Sequence, residues 1–194
     1  MRRKSSTTWV LALVAGMAAV SILQSETPPA ARFEGKDTLL QPQGYREWVF
    51  VGSSLGLRYA QNPEEQRSDP QRGPAAELYH NVYINPASYR TFSQTGKFPE
   101  GTVMVLELAS SEVKREPGLQ GSYQNQFVAL EAAVKDSQRF PEGWAYFSFD
   151  GPDGKPSATA KPFPKERCWS CHHNKAATDH VFTQFYPVLR AGKN

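Results

Sequence analysis

Cysteine is scarce in this sequence, because its 194 residues contain only Cys168 and Cys171. The two lie three positions apart, so neither is left to form a structural disulfide with a distant part of the chain. An excess of one charge is also lacking, since 22 lysines and arginines are offset by 19 acidic residues. With a net charge of +3 and no basic stripe, the sequence predicts no nucleic-acid partner.

Long hydrophobic runs are lacking too. A confident membrane span needs about 20 apolar residues, and the apolar run near the start of the sequence is shorter than that. Residues 9–23 are uncharged and mostly apolar, and they follow the basic residues Arg2, Arg3 and Lys4. A basic start before a short apolar run is typical of an export signal, although no clear cleavage site follows it. We predict that residues 1–25 are a signal peptide or an N-terminal membrane anchor and that the rest lies outside the cytoplasm.

The two cysteines belong to the pattern Cys168-Trp169-Ser170-Cys171-His172. This spacing is the one that attaches a c-type haem, because each thiol bonds to one vinyl group and the following histidine becomes the proximal iron ligand. Such attachment takes place on the outer side of the bacterial membrane. The leader and the motif therefore support each other, and together they predict a periplasmic protein with one covalently attached haem c.

Two other interpretations of the cysteine pair remain open. A dithiol redox site of the thioredoxin type is expected near a βαβ pattern and needs no following histidine. A closed zinc site needs four ligands, and only His173 and His180 lie near enough in the sequence to complete one. The pattern favours haem over both.

The remaining sequence predicts an α+β fold, mainly antiparallel β-sheet with a few helices, in which a C-terminal helix carries the haem-binding motif. Residues 26–44 are rich in Pro, Gly and polar residues and are interpreted as a linker to a haem domain over residues 45–194. Residues 53–76 are expected to form a surface loop. The four strand candidates are residues 79–84, 102–108, 127–134 and 144–149.

Three local signals refine this expectation. Pro86 and Gly96 are expected to begin and end a short helix. Alternation over residues 102–108 places Met104, Leu106 and Leu108 on one face of a strand and Glu107 on the other. Asp179 is expected to cap a helix over residues 181–186 that Pro187 interrupts.

The body of the sequence resembles the cytochrome P-460 family, which includes the cytochrome c′-beta proteins. The segment 181–190 is more discriminating than the haem motif, which is generic. The matching stretches are residues 45–49, 81–86 with 89, 95–98, 101–103, 130–137, 168–172, 178–179 and 181–190.

The resemblance implies an antiparallel sheet with helices, a proximal ligand at His172 and a distal side open to small molecules. Members that oxidise hydroxylamine carry a lysine bonded to the porphyrin edge, and that position is Leu106 here. Since leucine cannot form the bond, an ordinary c-type spectrum is expected. If Leu106 and Met104 line the distal pocket, its wall is apolar.

The other candidate residues of the distal pocket have more than one interpretation. The resemblance suggests His80 as a distal hydrogen-bond donor, but a surface or strand-end histidine explains it at least as well. Met104 is either a sixth iron ligand or, as is commoner, a core methionine. Glu107 and Glu131 match the family, but the sequence does not say whether either enters the pocket.

Three functions are compatible with these features. The first is binding or slow turnover of small nitrogen oxides such as NO. The second is simple electron transfer, and the third is hydroxylamine oxidation of the P-460 type, so an oxidoreductase acting on hydroxylamine or NO is an open alternative. The expected partners are a small gaseous or nitrogen-oxide ligand and a redox partner protein, and the family resemblance suggests a homodimer.

Overall fold

The computed structural model describes residues 29–57 and 77–190. The predicted signal peptide or anchor and most of the predicted surface loop lie outside the described residues. Within the described ranges, no helix is long and apolar enough to span a membrane.

A five-stranded antiparallel sheet forms the centre of the fold, with the strand order β3-β4-β5-β6-β7. This architecture confirms the predicted α+β class with a mainly antiparallel sheet. Each strand pairs with its sequence neighbour, so the sheet is built by successive antiparallel connections. The strands are β3 (Val49–Leu55), β4 (Leu78–Ile84), β5 (Val103–Glu116), β6 (Leu119–Lys135) and β7 (Trp144–Ser148).

Strands β5 and β6 are longer than the sequence patterns predict. We expected β5 to end near Ser110, but it continues to Glu116, which pairs with Leu119 across a tight turn. Gly118 supplies the positive φ of 80° that the turn needs. The Pro117-Gly118 dipeptide was the available turn signal, and polar composition on both sides of it concealed the hairpin.

A second, smaller sheet includes part of the segment that we interpreted as a linker. It contains β1 (Phe33–Glu34), β2 (Thr38–Leu40) and β8 (Thr159–Ala160), in the order β1-β2-β8. Leu39 is fully buried in the hydrophobic core beneath the large sheet. The linker interpretation is therefore wrong for residues 33–40. Despite the polar composition of this segment, strand pairing and the burial of Leu39 make it part of the folded domain.

The helices are short. Helix α1 (Pro86–Thr95) begins at Pro86 and ends at Gly96 with a φ of 68°, as predicted. Helix α2 (Trp169–Lys175) carries most of the haem motif, and α3 (Pro187–Arg190) ends the described chain. The predicted helix over residues 181–186 is wrong, because Thr183–Phe185 form only a 3₁₀ turn and Pro187 begins α3 instead of interrupting a helix.

Alternation along the strands divides the apolar residues between the two faces of the large sheet. Met104 packs in one cluster with Val82 and Tyr146, whereas Val103 and Val105 pack in the other. The predicted alternation along β5 is therefore confirmed. The first cluster faces the C-terminal segment, so that face of the sheet meets the haem motif.

Glu107 faces the other side and is part of a polar network. Its carboxylate accepts a hydrogen bond from the Tyr45 hydroxyl at 2.5 Å and one from Arg46 Nε at 2.8 Å. Burial and the neighbouring carboxylate raise the pKa of Tyr45, which therefore stays a hydrogen-bond donor at neutral pH. Glu107 thus has a structural role that is remote from the haem motif.

We predict that Tyr45→Phe lowers the free energy of unfolding by about 1–3 kcal/mol, because a buried carboxylate loses a donor. Chemical denaturation measures this change. Tyr83→Phe is the matched control, since its ring packs against Tyr45 at 5.6 Å and its hydroxyl makes no hydrogen bond within the described part of the chain. Equal losses in both variants would contradict the assigned role of the Tyr45 hydroxyl.

Candidate functional site

A cavity of about 430 Å³ lies between the large sheet and the C-terminal segment. One wall comes from β4, β5, β6 and β7, and the other comes from α2 and the residues around it. Both cysteines of the motif and His172 line it, together with Leu106 and Met104. The structure therefore brings together five of the six side chains that the sequence singled out.

The sheet wall is apolar except for one carboxylate and the hydroxyl of Tyr146. Val82 lies opposite Leu106 in the β4–β5 register, and Leu106 lies opposite Glu131 in the β5–β6 register. Directly opposite residues on neighbouring strands point to the same face. Leu106 therefore lies between an apolar and an acidic neighbour on the cavity wall, so the expected apolar wall is only partly apolar.

Glu131 is the functional candidate that the sequence left undecided. It lines the cavity and is largely removed from solvent, and burial is the main cause that raises the pKa of its carboxyl. The negative charge of Asp150 adds to this effect and Arg167 opposes it. A carboxyl in this environment can hold or accept a proton closer to neutral pH than an ordinary glutamate can.

The two cysteines enter the cavity from the start of α2. Cys168 is the residue before the helix and Cys171 lies in its first turn, which brings both thiols to the same end of the helix. Both are free thiols and partly buried. Burial raises the pKa of the Cys168 thiol to about 11, so it stays protonated at neutral pH.

Trp169, between the cysteines, is partly buried and packs against the same apolar cluster as they do. Its indole nitrogen donates a hydrogen bond to the Glu142 carbonyl at 3.1 Å. Its ring stacks on His173 with centroids 4.5 Å apart and planes within 9°. The hydrogen bond fixes α2 against the loop before β7, whereas the stacking lies within α2.

The His172 ring is held from three sides. Its Nδ1 lies 2.8 Å from the His180 carbonyl oxygen, which can only accept, so Nδ1 carries the proton. The rings of Tyr146 and Phe182 lie with centroids 4.3 and 4.6 Å from the imidazole. Burial lowers the pKa of His172, which favours the neutral ring with its lone pair on Nε2. That tautomer is the one that binds a metal through Nε2.

The residues of this cavity fit a covalently bound haem. Two thiols at one end of α2, an imidazole in the metal-binding tautomer and an apolar sheet wall are what such a group requires. A closed zinc site has less support, because the described residues contain no group of three or more His, Cys, Asp or Glu side chains placed to hold an ion.

His80 is the predicted site residue that lies elsewhere. It projects from the same face of β4 as Val82 but lies two residues earlier, and it is outside the set of described residues that line the cavity. Burial lowers its pKa, and its Nδ1 is buried without a hydrogen-bond partner in the described structure. A distal role for His80 stays a prediction.

Sequence reasoning missed Tyr146 and Phe182 as neighbours of His172. Tyr146 lies on β7, and the period-two pattern of that strand could have placed it on the cavity face once the register was known. Phe182 lies outside regular helix, where no periodicity indicates a direction.

Comparisons with known proteins agree with this geometry. A family model described as Cytochrome P460 matches residues 42–183, which is well over half of the chain. A search of curated proteins finds no match.

We predict that Glu131→Gln stabilises the protein at neutral pH relative to the wild type. Because the pKa of the buried carboxyl is raised, folding favours its protonated form and the ionised form opposes folding. The two proteins should unfold with similar free energies below pH about 4, where the carboxyl is protonated in both states. Their difference should grow as the pH rises through the raised pKa. Urea denaturation between pH 4 and 7 measures it.

Glu34→Gln is the control for this measurement, because Glu34 is exposed on β1. It should change the free energy of unfolding by less than about 0.5 kcal/mol at any of these pH values. A stability difference for Glu131→Gln that does not change with pH would contradict the burial argument.

Proposed function

Because the chain belongs to the cytochrome P460 family, we propose that it is a periplasmic c-type cytochrome whose distal haem side binds small nitrogen oxides such as NO. Membership of this family supports a haem cytochrome. The observation that carries it is one cavity lined by both motif cysteines, His172 and the leucine at the family's lysine position. The basic and apolar residues 1–25 support export to the periplasm.

Three residues of the motif would hold the haem. Cys168 and Cys171 would bond to it through thioethers, and His172 would be its axial ligand through Nε2. When bound, the haem supplies an iron that takes up diatomic ligands and exchanges single electrons. The protein's own contribution is to fix the imidazole, exclude water from one wall and leave space for a small ligand.

The wall made by Val82, Met104 and Leu106 supports binding of a neutral diatomic molecule. All three side chains are apolar and face the cavity. They offer no hydrogen bond or charge, so they favour NO or CO over charged ligands. Leu106 also leaves no amine at this position to bond to the porphyrin edge.

Glu131 favours a second candidate function, which is redox turnover of hydroxylamine. Oxidation of such a substrate releases protons, and a carboxylate beside the cavity can accept them. A redox partner protein would take the electrons. Hydroxylamine consumption that Glu131→Gln abolishes while CO binding persists would support this candidate over ligand binding alone.

Electron transfer without ligand binding is a third outcome that the spectra distinguish. Met104 lines the cavity and is the only methionine among the described residues that do so. A six-coordinate spectrum that ignores NO and CO would assign Met104 or another distal donor to the iron and overturn the proposed function.

We predict that the wild-type protein retains haem after denaturation, because two thioether bonds survive unfolding. Staining for haem after denaturing electrophoresis measures this. The double variant Cys168→Ser with Cys171→Ser should lose the stain, and each single variant should retain a weakened one. Haem that washes out of the denatured wild type would contradict covalent attachment.

We predict that Leu106→Phe weakens CO and NO binding to the reduced protein about tenfold or more, because the larger side chain occupies space on the ligand side of the cavity and overpacking costs about 1–3 kcal/mol. Titration followed at the Soret band measures the affinity. Leu108→Phe is the matched control, since Leu108 lies two residues along the same strand and is not among the residues described as lining the cavity. Equal effects of the two substitutions would contradict the placement of Leu106 on the ligand side.

A further inference from the structure

The four residues Thr178 to Val181 form a tight turn beside the cavity. Val181 N–H donates to the Thr178 carbonyl at 2.8 Å, and Thr178 N–H donates back to Val181 at 3.3 Å. Both central residues are left-handed, with φ values of 42° at Asp179 and 64° at His180. Two left-handed central residues are the signature of a type I′ turn. Neither is glycine, so the turn is strained unless its surroundings hold it.

The turn directs one carbonyl group at the His172 ring. The His180 oxygen accepts a hydrogen bond from His172 Nδ1 at 2.8 Å and another from the Tyr146 hydroxyl at 3.3 Å. A backbone carbonyl has no rotamers of its own. Its direction is therefore set by the φ and ψ angles of the turn, and the orientation of His172 depends on the same angles.

The Asp179 side chain ties the turn to the end of the large sheet. Its Oδ2 accepts a hydrogen bond from Lys135 Nζ at 2.7 Å, and its Oδ1 accepts one from Trp144 Nε1 at 3.1 Å. Lys135 and Trp144 are directly opposite each other on β6 and β7. Lys135 also donates to the Phe98 carbonyl at 2.8 Å, so the anchor is itself held in place.

These contacts form a continuous connection from the sheet to the imidazole. The sheet end holds Asp179, Asp179 holds a strained turn, and the turn presents the His180 carbonyl to His172. We infer that Asp179 is a positioning residue, which sets the orientation and the electron donation of His172 through that carbonyl. The inference rests on the proposed function, because it matters only if His172 is the axial ligand of a haem.

The physical effect follows from the hydrogen bond at Nδ1. A histidine whose Nδ1–H donates to an acceptor is more basic at Nε2 and donates more strongly to a metal. Stronger donation stabilises the oxidised iron, so it lowers the reduction potential. If the turn relaxes, the His180 carbonyl moves away from the His172 ring. The donation from Nε2 to the metal then weakens, and the reduction potential rises.

The test compares holoprotein variants at position 179. Asp179→Ala removes both anchors and puts a residue that disfavours the left-handed region at the start of the turn. It should raise the reduction potential and lower the iron–histidine stretching frequency in the resonance Raman spectrum of the reduced protein. Asp179→Asn keeps an oxygen for Trp144 and tolerates the left-handed conformation. It should restore most of both values.

Asp37→Ala is the matched control. It removes an aspartate–lysine pair of similar length, 2.6 Å between Lys161 Nζ and Asp37 Oδ1, and neither residue is among those described as lining the cavity. It should leave the potential and the stretching frequency unchanged. If Asp179→Ala lowers only the melting temperature, Asp179 is a structural residue and the inference is wrong.

If Asp179→Ala does not fold, Lys135→Met takes its place. That variant removes one anchor and leaves Asp179 and Trp144, so it should shift both readouts in the same direction by less. Unchanged readouts would overturn the inference.

A separate result tests the premise. His172→Ala should abolish the iron–histidine band. If the band persists in this variant, or if the wild-type protein contains no haem, the proposed function is overturned together with this inference. Unchanged readouts in the position 179 variants of a haem-loaded protein would overturn the inference alone.

Discussion

The antiparallel register between β5 and β6 places Leu106 opposite Glu131 and Met104 opposite Ala133. All four therefore face the C-terminal segment, while Val103, Val105 and Glu107 face the core on the other side. Because side chains alternate with a period of two, a slip of one residue in β5 would exchange its two faces. Glu107 would then enter the cavity and Leu106 would meet Tyr45 and Arg46. Burial of both faces of the sheet makes such a slip costly. Packing on the face that is turned away from the cavity therefore determines which side chains of β5 line the cavity.

The two glutamates of neighbouring strands show how environment separates their roles. Glu107 is buried with an arginine and a tyrosine hydroxyl as partners, so its charge is compensated within the fold. Glu131 is partly buried beside apolar residues, and burial raises the pKa of its carboxyl, while the carboxylate of Asp150 and the guanidinium of Arg167 act on it in opposite directions. Of these two carboxyl groups, Glu131 is the one that lines the cavity and can exchange a proton there.

The C-terminal segment reaches the sheet through two different kinds of contact. Helix α2 carries the cysteines and His172 because the motif lies at its start, and the hydrogen bond from Trp169 to the Glu142 carbonyl holds the helix in place. The turn at Asp179 and His180 uses tertiary contacts with β6 and β7 to hold a backbone conformation that few residues other than glycine adopt. The orientation of the His172 imidazole depends on both the position of α2 and the turn at Asp179 and His180.

Features that depend on near neighbours could be predicted from the sequence. The haem motif, the helix from Pro86 to Gly96 and the alternation along β5 are of this kind, because their signals lie within a few residues of one another. Other features could not be predicted: that Glu131 and not Glu107 lines the cavity, that Leu39 joins the core and that His180 turns its carbonyl toward His172. Each of these depends on strand register or on contacts between residues far apart in the chain, and neither composition nor periodicity carries that information. The predicted helix after Asp179 was wrong for the same reason, since the anchors that hold Asp179 in a turn come from strands more than 30 residues earlier.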